Sequence, residues 1–195
     1  MALPKYPIMD VEDYLTLDRN SKNARYEYLD CELRMLAGGS TYHSMIIANL
    51  TIALGQILNE SPCYVYNSDI RLQLSESRYV YPDITVSCDQ RDQELDDMIR
   101  YPHMVVEVLS PSTENTDRGK KFIYYQDCPT IQEYVMVDSE SMRIEAYHRV
   151  EDGWKLHTYG PRSMVKLGSL GIEFPIEAAY RGTKLTGSRK NGRNR

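Results

Sequence analysis

Two carboxylates stand in surroundings that an ordinary core does not tolerate. Glu107 lies within Met104-Val105-Val106-Glu107-Val108-Leu109, a β-rich run with apolar neighbours on both sides. Alternate residues of a strand face opposite ways, so this pattern predicts burial on both faces. A lone buried carboxylate is unfavourable by several kcal/mol unless it is protonated, paired or bound to a metal. Asp83 has a similar setting in Tyr79-Val80-Tyr81-Pro82-Asp83-Ile84-Thr85-Val86. Pro82 has no backbone donor, which places this point at a strand end, an edge or a bulge. A divalent cation between two such carboxylates would let both stay ionised, and hard oxygen ligands suit Mg2+ or Mn2+. Two plainer readings compete. Pro-Asp is a common turn, and an arginine such as Arg71 or Arg143 could neutralise Glu107 with no metal.

Lys121 is the candidate cation for the same site. It lies in Glu114-Asn115-Thr116-Asp117-Arg118-Gly119-Lys120-Lys121-Phe122-Ile123-Tyr124-Tyr125, where helical spacing puts Arg118, Lys121 and Tyr125 on one face. A lysine beside two metal-binding carboxylates could orient a water nucleophile and offset charge in a phosphoryl transition state. Spacing alone favours a surface ion pair between Asp117 and Lys121, four residues apart. Glu27 and Glu32, each flanked by apolar or aromatic residues, could reach the cluster, or could belong to a polar outer strand face. His43 follows Gly38-Gly39 and could contact a phosphate or transfer a proton, although a capping or surface role is the commoner fate of such a histidine.

Positioning these residues requires a sheet with helices packed on it. Asp10–Arg19 reads as a short amphipathic helix with Asp10 as N-cap. Arg25–Leu29 and Glu32–Leu36 read as a hairpin turning at Asp30-Cys31. Thr41–Glu60 reads as a long helix burying Ile46, Ile47, Leu50, Leu54, Ile57 and Leu58. Strands are expected at Val65–Leu74, Arg78–Val86, Met104–Leu109 and Glu133–Val137. Residues 90–101 read as a polar loop with a helical turn, and Glu114–Asp127 as a helix. Arg143–Arg149 and Trp154–Tyr159 read as a meander, and Leu167–Phe174 as one more short strand. Alternation of strands and helices gives an α/β (α+β) class built on a mixed sheet.

The 195 residues suit one domain and a tail. No apolar run is long enough to cross a bilayer, and the first seven residues lack a signal-peptide core, so cytoplasmic is the default location. Cys31, Cys63, Cys88 and Cys128 form no Cys-x-x-Cys pair, which argues against zinc and for four reduced thiols. Net charge is −5, unevenly spread. From Arg181 onward there are six basic and no acidic residues, leaving 17 basic against 28 acidic, or −11, in residues 1–180. So acidic a body is a poor general platform for nucleic acid, which argues against a simple DNA-binding module.

Five segments in this order resemble the restriction-endonuclease-like family of the PD-(D/E)XK nuclease superfamily. They are Arg25-Tyr26-Glu27-Tyr28-Leu29-Asp30-Cys31-Glu32-Leu33, Tyr81-Pro82-Asp83-Ile84, Val106-Glu107-Val108-Leu109-Ser110-Pro111-Ser112-Thr113, Asp117-Arg118-Gly119-Lys120-Lys121-Phe122 and Gln132-Glu133-Tyr134-Val135-Met136-Val137-Asp138. The resemblance spans about residues 8 to 180. It implies a restriction-endonuclease-like domain over 1–180 with a central mixed sheet flanked by helices, followed by a basic, disordered tail over 181–195. It also implies a Mg2+- (or Mn2+-) dependent endonuclease that hydrolyses DNA phosphodiester bonds by in-line attack of water. Asp83, Glu107 and the backbone carbonyl of Val108 would contact the metal, with Glu27 as a further acidic contact. The superfamily usually carries its lysine two residues after the acidic ligand, where this chain has Leu109. Lys121, on the following helix, is the matching position, with Lys120 as a fallback. His43 and Glu32 stay secondary candidates. DNA is the implied partner, and a homodimer would bring two such sites to a duplex. The alternative is a catalytically inactive nuclease fold acting as a binding or regulatory module.

Overall fold

Why Asp83 and Glu107 meet is a matter of strand register. The structure is a computed structural model that describes residues 9–36 and 38–186. Its largest sheet has six strands in the order β11-β10-β9-β8-β6-β3. The strands are β3 (Tyr64–Asn67), β6 (Ile84–Ser87), β8 (Pro102–Leu109), β9 (Glu133–Asp138), β10 (Ile144–Val150) and β11 (Gly153–Tyr159). The β8–β9 pair is parallel and the other pairs are antiparallel, so the sheet is mixed. Ile84 pairs with Val106, which brings Asp83 alongside Glu107 and Val108.

The two faces of β8 bury different partners, as the period of two requires. Met104, Val106 and Val108 pack with Ile46, Leu50 and Leu54 of α2 (Thr41–Ile57) and with Phe174, Ala179 and Tyr180. Val105 and Leu109 pack instead with Tyr124, Tyr125, Tyr134 and Met136, and with Leu29, Leu72 and Val80 of a second sheet. That sheet has the order β2-β1-β5-β4-β7, from β1 (Tyr26–Leu29), β2 (Glu32–Met35), β4 (Arg71–Ser75), β5 (Arg78–Val80) and β7 (Met98–Ile99). Its outer face is covered by α1 (Val11–Asn20), through Tyr14 against Tyr28 and Tyr79. Glu107 therefore points into the layer between the two sheets.

Several expected elements change at their breaks. The strand expected over Val65–Leu74 is two, β3 and β4, separated at residues 68–70. The strand expected over Arg78–Val86 is also two: β5 belongs to the smaller sheet and β6 to the larger, and Tyr81-Pro82-Asp83 is the crossing between them. Proline cannot donate to a ladder, so the break falls where the sequence lacks a donor. Leu167–Phe174, expected as one strand, is a hairpin of β12 (Met164–Leu167) and β13 (Ile172–Pro175). The Asp30-Cys31 turn is as expected, both residues having positive φ (53° and 71°). The long helix ends at Ile57, and Ile57 itself is exposed.

Two smaller expectations also shift. The helix over Glu114–Asp127 exists, but it runs as α4 (Glu114–Thr116), a π-helical segment Asp117–Lys121, and α5 (Phe122–Asp127). Cys31 and Cys128 are free, whereas Cys63 and Cys88 form a disulfide. Tyr64 pairs with Ser87, so these cysteines sit at the next position along the same ladder, with Cα atoms 3.9 Å apart. Their separation of 25 residues hides that neighbourhood in the sequence. At the C-terminus, α6 (Glu177–Tyr180) and a 3-10 turn at Lys184–Thr186 carry the fold into the first residues of the expected tail. The rest of that tail, from residue 187, lies outside the described residues.

Candidate active site

Lys121 sits at the centre of the site, held by carboxylates from three elements. Its Nζ lies 2.7 Å from Glu27 of β1, 3.1 Å from Glu107 of β8 and 3.5 Å from Asp117 at the start of the π-helical segment. All four side chains are almost fully buried. Burial pulls the Lys121 ammonium toward neutrality, but Glu107, Glu27 and Asp117 outweigh it and hold its pKa well above the usual lysine value. Lys121 is thus a permanent cation at neutral pH. The Asp117–Lys121 pair suggested by spacing is present, but in the interior rather than on the surface.

Glu107 is arranged to keep one oxygen free. Its Oε1 accepts from Lys121 Nζ at 3.1 Å and from the Tyr125 hydroxyl at 2.6 Å. Its other oxygen has no hydrogen bond to a described residue. Desolvation raises the Glu107 pKa; Lys121 opposes this, while Asp117, Asp83 and Glu27 push it further up. Two other buried carboxylates show the contrast. Asp92 accepts backbone N–H groups of Arg100 and Tyr101, and Glu133 those of Gly168 and Ser169. Those two pin loops through backbone amides.

Asp83 completes the wall beside Glu107. Its Oδ2 accepts the Val108 N–H at 2.7 Å and lies 3.5 Å from His43 Nε2. His43 enters from the first turn of α2, which Ser40 caps by accepting the His43 N–H. The hydrogen bond with Asp83 raises the His43 pKa, burial opposes it, and the Asp83 charge and the Val108 backbone add to the rise. Gly39 makes room for this ring: a Cβ there would stand 2.4 Å from His43 Nδ1.

These groups open on one cleft of about 860 Å³. Buried Glu107, Asp117 and Lys121 and half-buried Asp83 and His43 form its floor, and Ser110, Ser112, Thr113, Lys22, Arg25, Asn67 and Asp69 also line it. The chain thus brings together Asp83, Glu107, Lys121, His43 and Glu27. Glu32 and Lys120 are not brought in; they pair with each other at 3.1 Å, half-exposed, away from the cleft. The arginine rivals go elsewhere, Arg71 to Asp18 and Asp97, and Arg143 to Glu145. Arg118 leaves the face it was expected to share and pairs with Glu114 and Glu145. Sequence reasoning missed Tyr125 and Asp117 as parts of the site. Helical spacing set Tyr125 on the Lys121 face but gave it no role.

A hard divalent ion fits this donor set. Glu27, Asp83, Glu107 and Asp117 face one lysine and one histidine, and burial with this crowding of carboxylates pushes the pKa of Glu107 and Asp117 up, which a divalent cation would offset. Among the described residues no three His, Cys, Asp or Glu side chains are close enough to grip an ion unaided. Mg2+ rarely needs such a cage; it is commonly held by one or two carboxylates, with water and substrate phosphate filling the other places. Asp83 and Glu107, adjacent in the lining of the cleft, are the two carboxylates that would serve such an ion.

Comparison with known proteins bears on the family and the fold. The profile of the Uma2 family, described as "Putative restriction endonuclease", matches residues 11–177. "Uncharacterized protein slr1290" of Synechocystis sp. is 37% identical over 179 residues, covering 91% of this chain and 94% of the relative. "Uncharacterized protein sll1609" of the same organism is 29% identical over 155 residues, covering 78% and 87%. Among solved structures, "a putative nuclease belonging to DUF820 from Anabaena variabilis" superposes with a TM-score of 0.74 at 15% identity, covering 88% of this chain and 97% of that one. At that identity the likeness concerns the fold, which is restriction-endonuclease-like.

Proposed function

The chain belongs to the Uma2 family, and from that premise we propose that it is a Mg2+- or Mn2+-dependent endonuclease acting on phosphodiester bonds of DNA. One observation carries the reading: Asp83, Glu107 and Lys121, widely separated in sequence, meet at the floor of a single cleft.

Each residue has a task that its surroundings support. Asp83 and the free oxygen of Glu107 would hold the cation, with the Val108 carbonyl beside them. A divalent cation there supplies polarisation of the phosphoryl oxygen and a stronger water nucleophile at neutral pH. Lys121, locked as an ammonium, is no proton acceptor. It serves as fixed positive charge where the phosphate becomes more negative in the transition state. Tyr125 keeps Glu107 oriented through Oε1. His43, against Asp83 and inside the cleft, is the group placed to move a proton at Nε2.

The test is nicking of supercoiled DNA with Mg2+, Mn2+ or EDTA. Asp83→Asn changes one charged oxygen for an amide at a partly open position, so the fold persists. Its rate is expected to drop by ~100-fold or more, as for loss of a group that stabilises the transition state. Undiminished cutting by Asp83→Asn would remove Asp83 from the mechanism.

A second reading has its own support in the acidic body, −11 over residues 1–180. On that reading the chain keeps the nuclease fold as a binding or regulatory module. Mn2+ titration separates the two. The nuclease site binds Mn2+ and loses it in Asp83→Asn, whereas a module without catalysis has no need of the ion.

A further inference from the structure

Glu27 touches the site from behind. It is 1% exposed and lies outside the cleft lining, whereas Asp83, Glu107, Asp117 and Lys121 all line it. Its Oε1 is 2.7 Å from Lys121 Nζ and 3.4 Å from the Tyr81 N–H, the residue that starts the crossing toward Asp83. Both described partners of the Glu27 carboxylate, Lys121 and Tyr81, line the cleft, whereas Glu27 does not, so it stands one layer behind the place where an ion and a phosphate would sit.

We propose that Glu27 is a positioning residue, which fixes the Lys121 ammonium against Glu107 and makes no contact with metal or substrate. The proposal rests on the nuclease reading for its effect on rate, but the holding of Lys121 can be measured without it.

The physical need for such a residue follows from where the lysine comes from. A lysine side chain has a compact ammonium on a flexible four-carbon stem, and ordering it costs rotamer entropy. Here it reaches Glu107 from a helix, through a π-helical segment, rather than from the strand that bears Glu107. Glu107 alone could hold it in several rotamers. Glu27 comes from β1, in the smaller sheet, and Glu107 from β8, in the larger, so Lys121 is gripped from both sides of the layer between them. Asp117 supplies the third direction at 3.5 Å. An ammonium has three donors, and three carboxylates receive it.

The experiment compares Glu27→Gln and Glu27→Asp with the full wild-type chain. Four quantities are read: kcat and KM for Mg2+-dependent nicking, Mn2+ affinity, the melting temperature, and the 15N-lysine ammonium signal. The wild type is expected to show one slowly exchanging buried ammonium, assigned by its loss in Lys121→Gln. Glu27→Gln broadens or removes it and lowers kcat about 10-fold, with KM and Mn2+ affinity unchanged. Glu27→Asp keeps the charge and recovers part of both. In a Lys121→Gln background, adding Glu27→Gln changes kcat by less than about threefold, the non-additivity expected of residues that act through one another.

Weaker Mn2+ binding by Glu27→Gln would overturn the proposal in favour of a direct metal contact. An unchanged kcat, or a loss of kcat that follows the melting temperature and is equal in both backgrounds, would overturn it in favour of a purely structural glutamate. If Glu27→Gln fails to fold, Glu27→Asp carries the same comparison. If the wild type cuts with neither metal, the nuclease reading falls, and the ammonium signal alone decides whether Glu27 holds Lys121.

Discussion

His43 stands against Asp83 only because residue 39 has no side chain. A methyl group at Gly39 would meet the imidazole at 2.4 Å, so the ring must leave or the turn must shift. Gly39→Ala is therefore expected to separate His43 from Asp83 with little loss of stability, since residue 39 is exposed. The readout is the His43 titration in metal-free protein. In the wild type it lies above the ordinary histidine value of about 6.5, chiefly through the Asp83 hydrogen bond. In Gly39→Ala and in Asp83→Asn it falls back toward that value. The sign for stability follows from the raised pKa. The pair stabilises the fold fully below the unfolded histidine's pKa, and that contribution is lost as pH rises through the folded one. A His43 titration unmoved by Gly39→Ala would contradict the contact. This part of the site was only faintly legible in sequence. Glu107 announces itself, because a carboxylate among valines needs an explanation. His43 does not, because nothing in the order of residues says that the start of α2 faces the end of β8. Tyr125 and Asp117 escaped for a related reason: a tyrosine and an i,i+4 ion pair are ordinary on a helix until their burial is known.

The π-helical segment is the element that delivers Lys121. Such segments amount to one extra residue in an α-helix and recur at functional sites. Here the segment lets Lys121 and Tyr125 face Glu107 while Arg118 turns away to Glu145. Gly119 lies within it and touches nothing nearby that a side chain would meet. Deleting Gly119 is expected to restore regular α-helical spacing, with Asp117 then three residues before the lysine and still on its face. The tighter turn re-aims the Lys121 stem relative to Glu107, and nicking falls by ~10-fold or more while far-UV circular dichroism stays near that of the wild type. Retained activity would show that the extra residue is incidental. No sequence period marks a π turn, since one additional residue is a small perturbation of an otherwise helical pattern. The merged strands have a similar origin. Residues 78–86 are β-rich throughout, and only Pro82 hints that the chain changes sheets there. By contrast α1, the Asp30-Cys31 hairpin, α2 and β8 were legible, because turn chemistry and hydrophobic period act locally.

For the whole molecule, charge sets the terms on which a nucleic acid could be held. Outside the floor of the cleft, Lys22 and Arg25 are the cations in its lining, and Arg25 is already paired with Asp69. The described body is acidic, whereas the chain beyond Thr186 adds Arg189, Lys190, Arg193 and Arg195 with no acidic residue. Phosphate contacts release counterions, so the slope of log K against log salt counts them, at about −0.9 per contact on duplex DNA. If duplex contacts are confined to the cleft, its one or two available cations should give a slope near −1 to −2. The four cations beyond residue 186 could add up to about −3.6 on the same constant. A chain ending at Thr186 keeps every residue of the described fold and should bind DNA with the shallower slope. Its kcat at saturating DNA should match that of the full chain, because every described residue of the cleft is kept. The measurement is binding to a labelled duplex across salt concentrations, with and without the last nine residues. Equal slopes for the two chains would mean that the basic segment makes no phosphate contacts. A steep slope in the truncated chain would mean that phosphates are held on a face the cleft does not reveal. A shallow slope with preserved turnover would show that the floor of the cleft, rather than a broad basic surface, does the recognising.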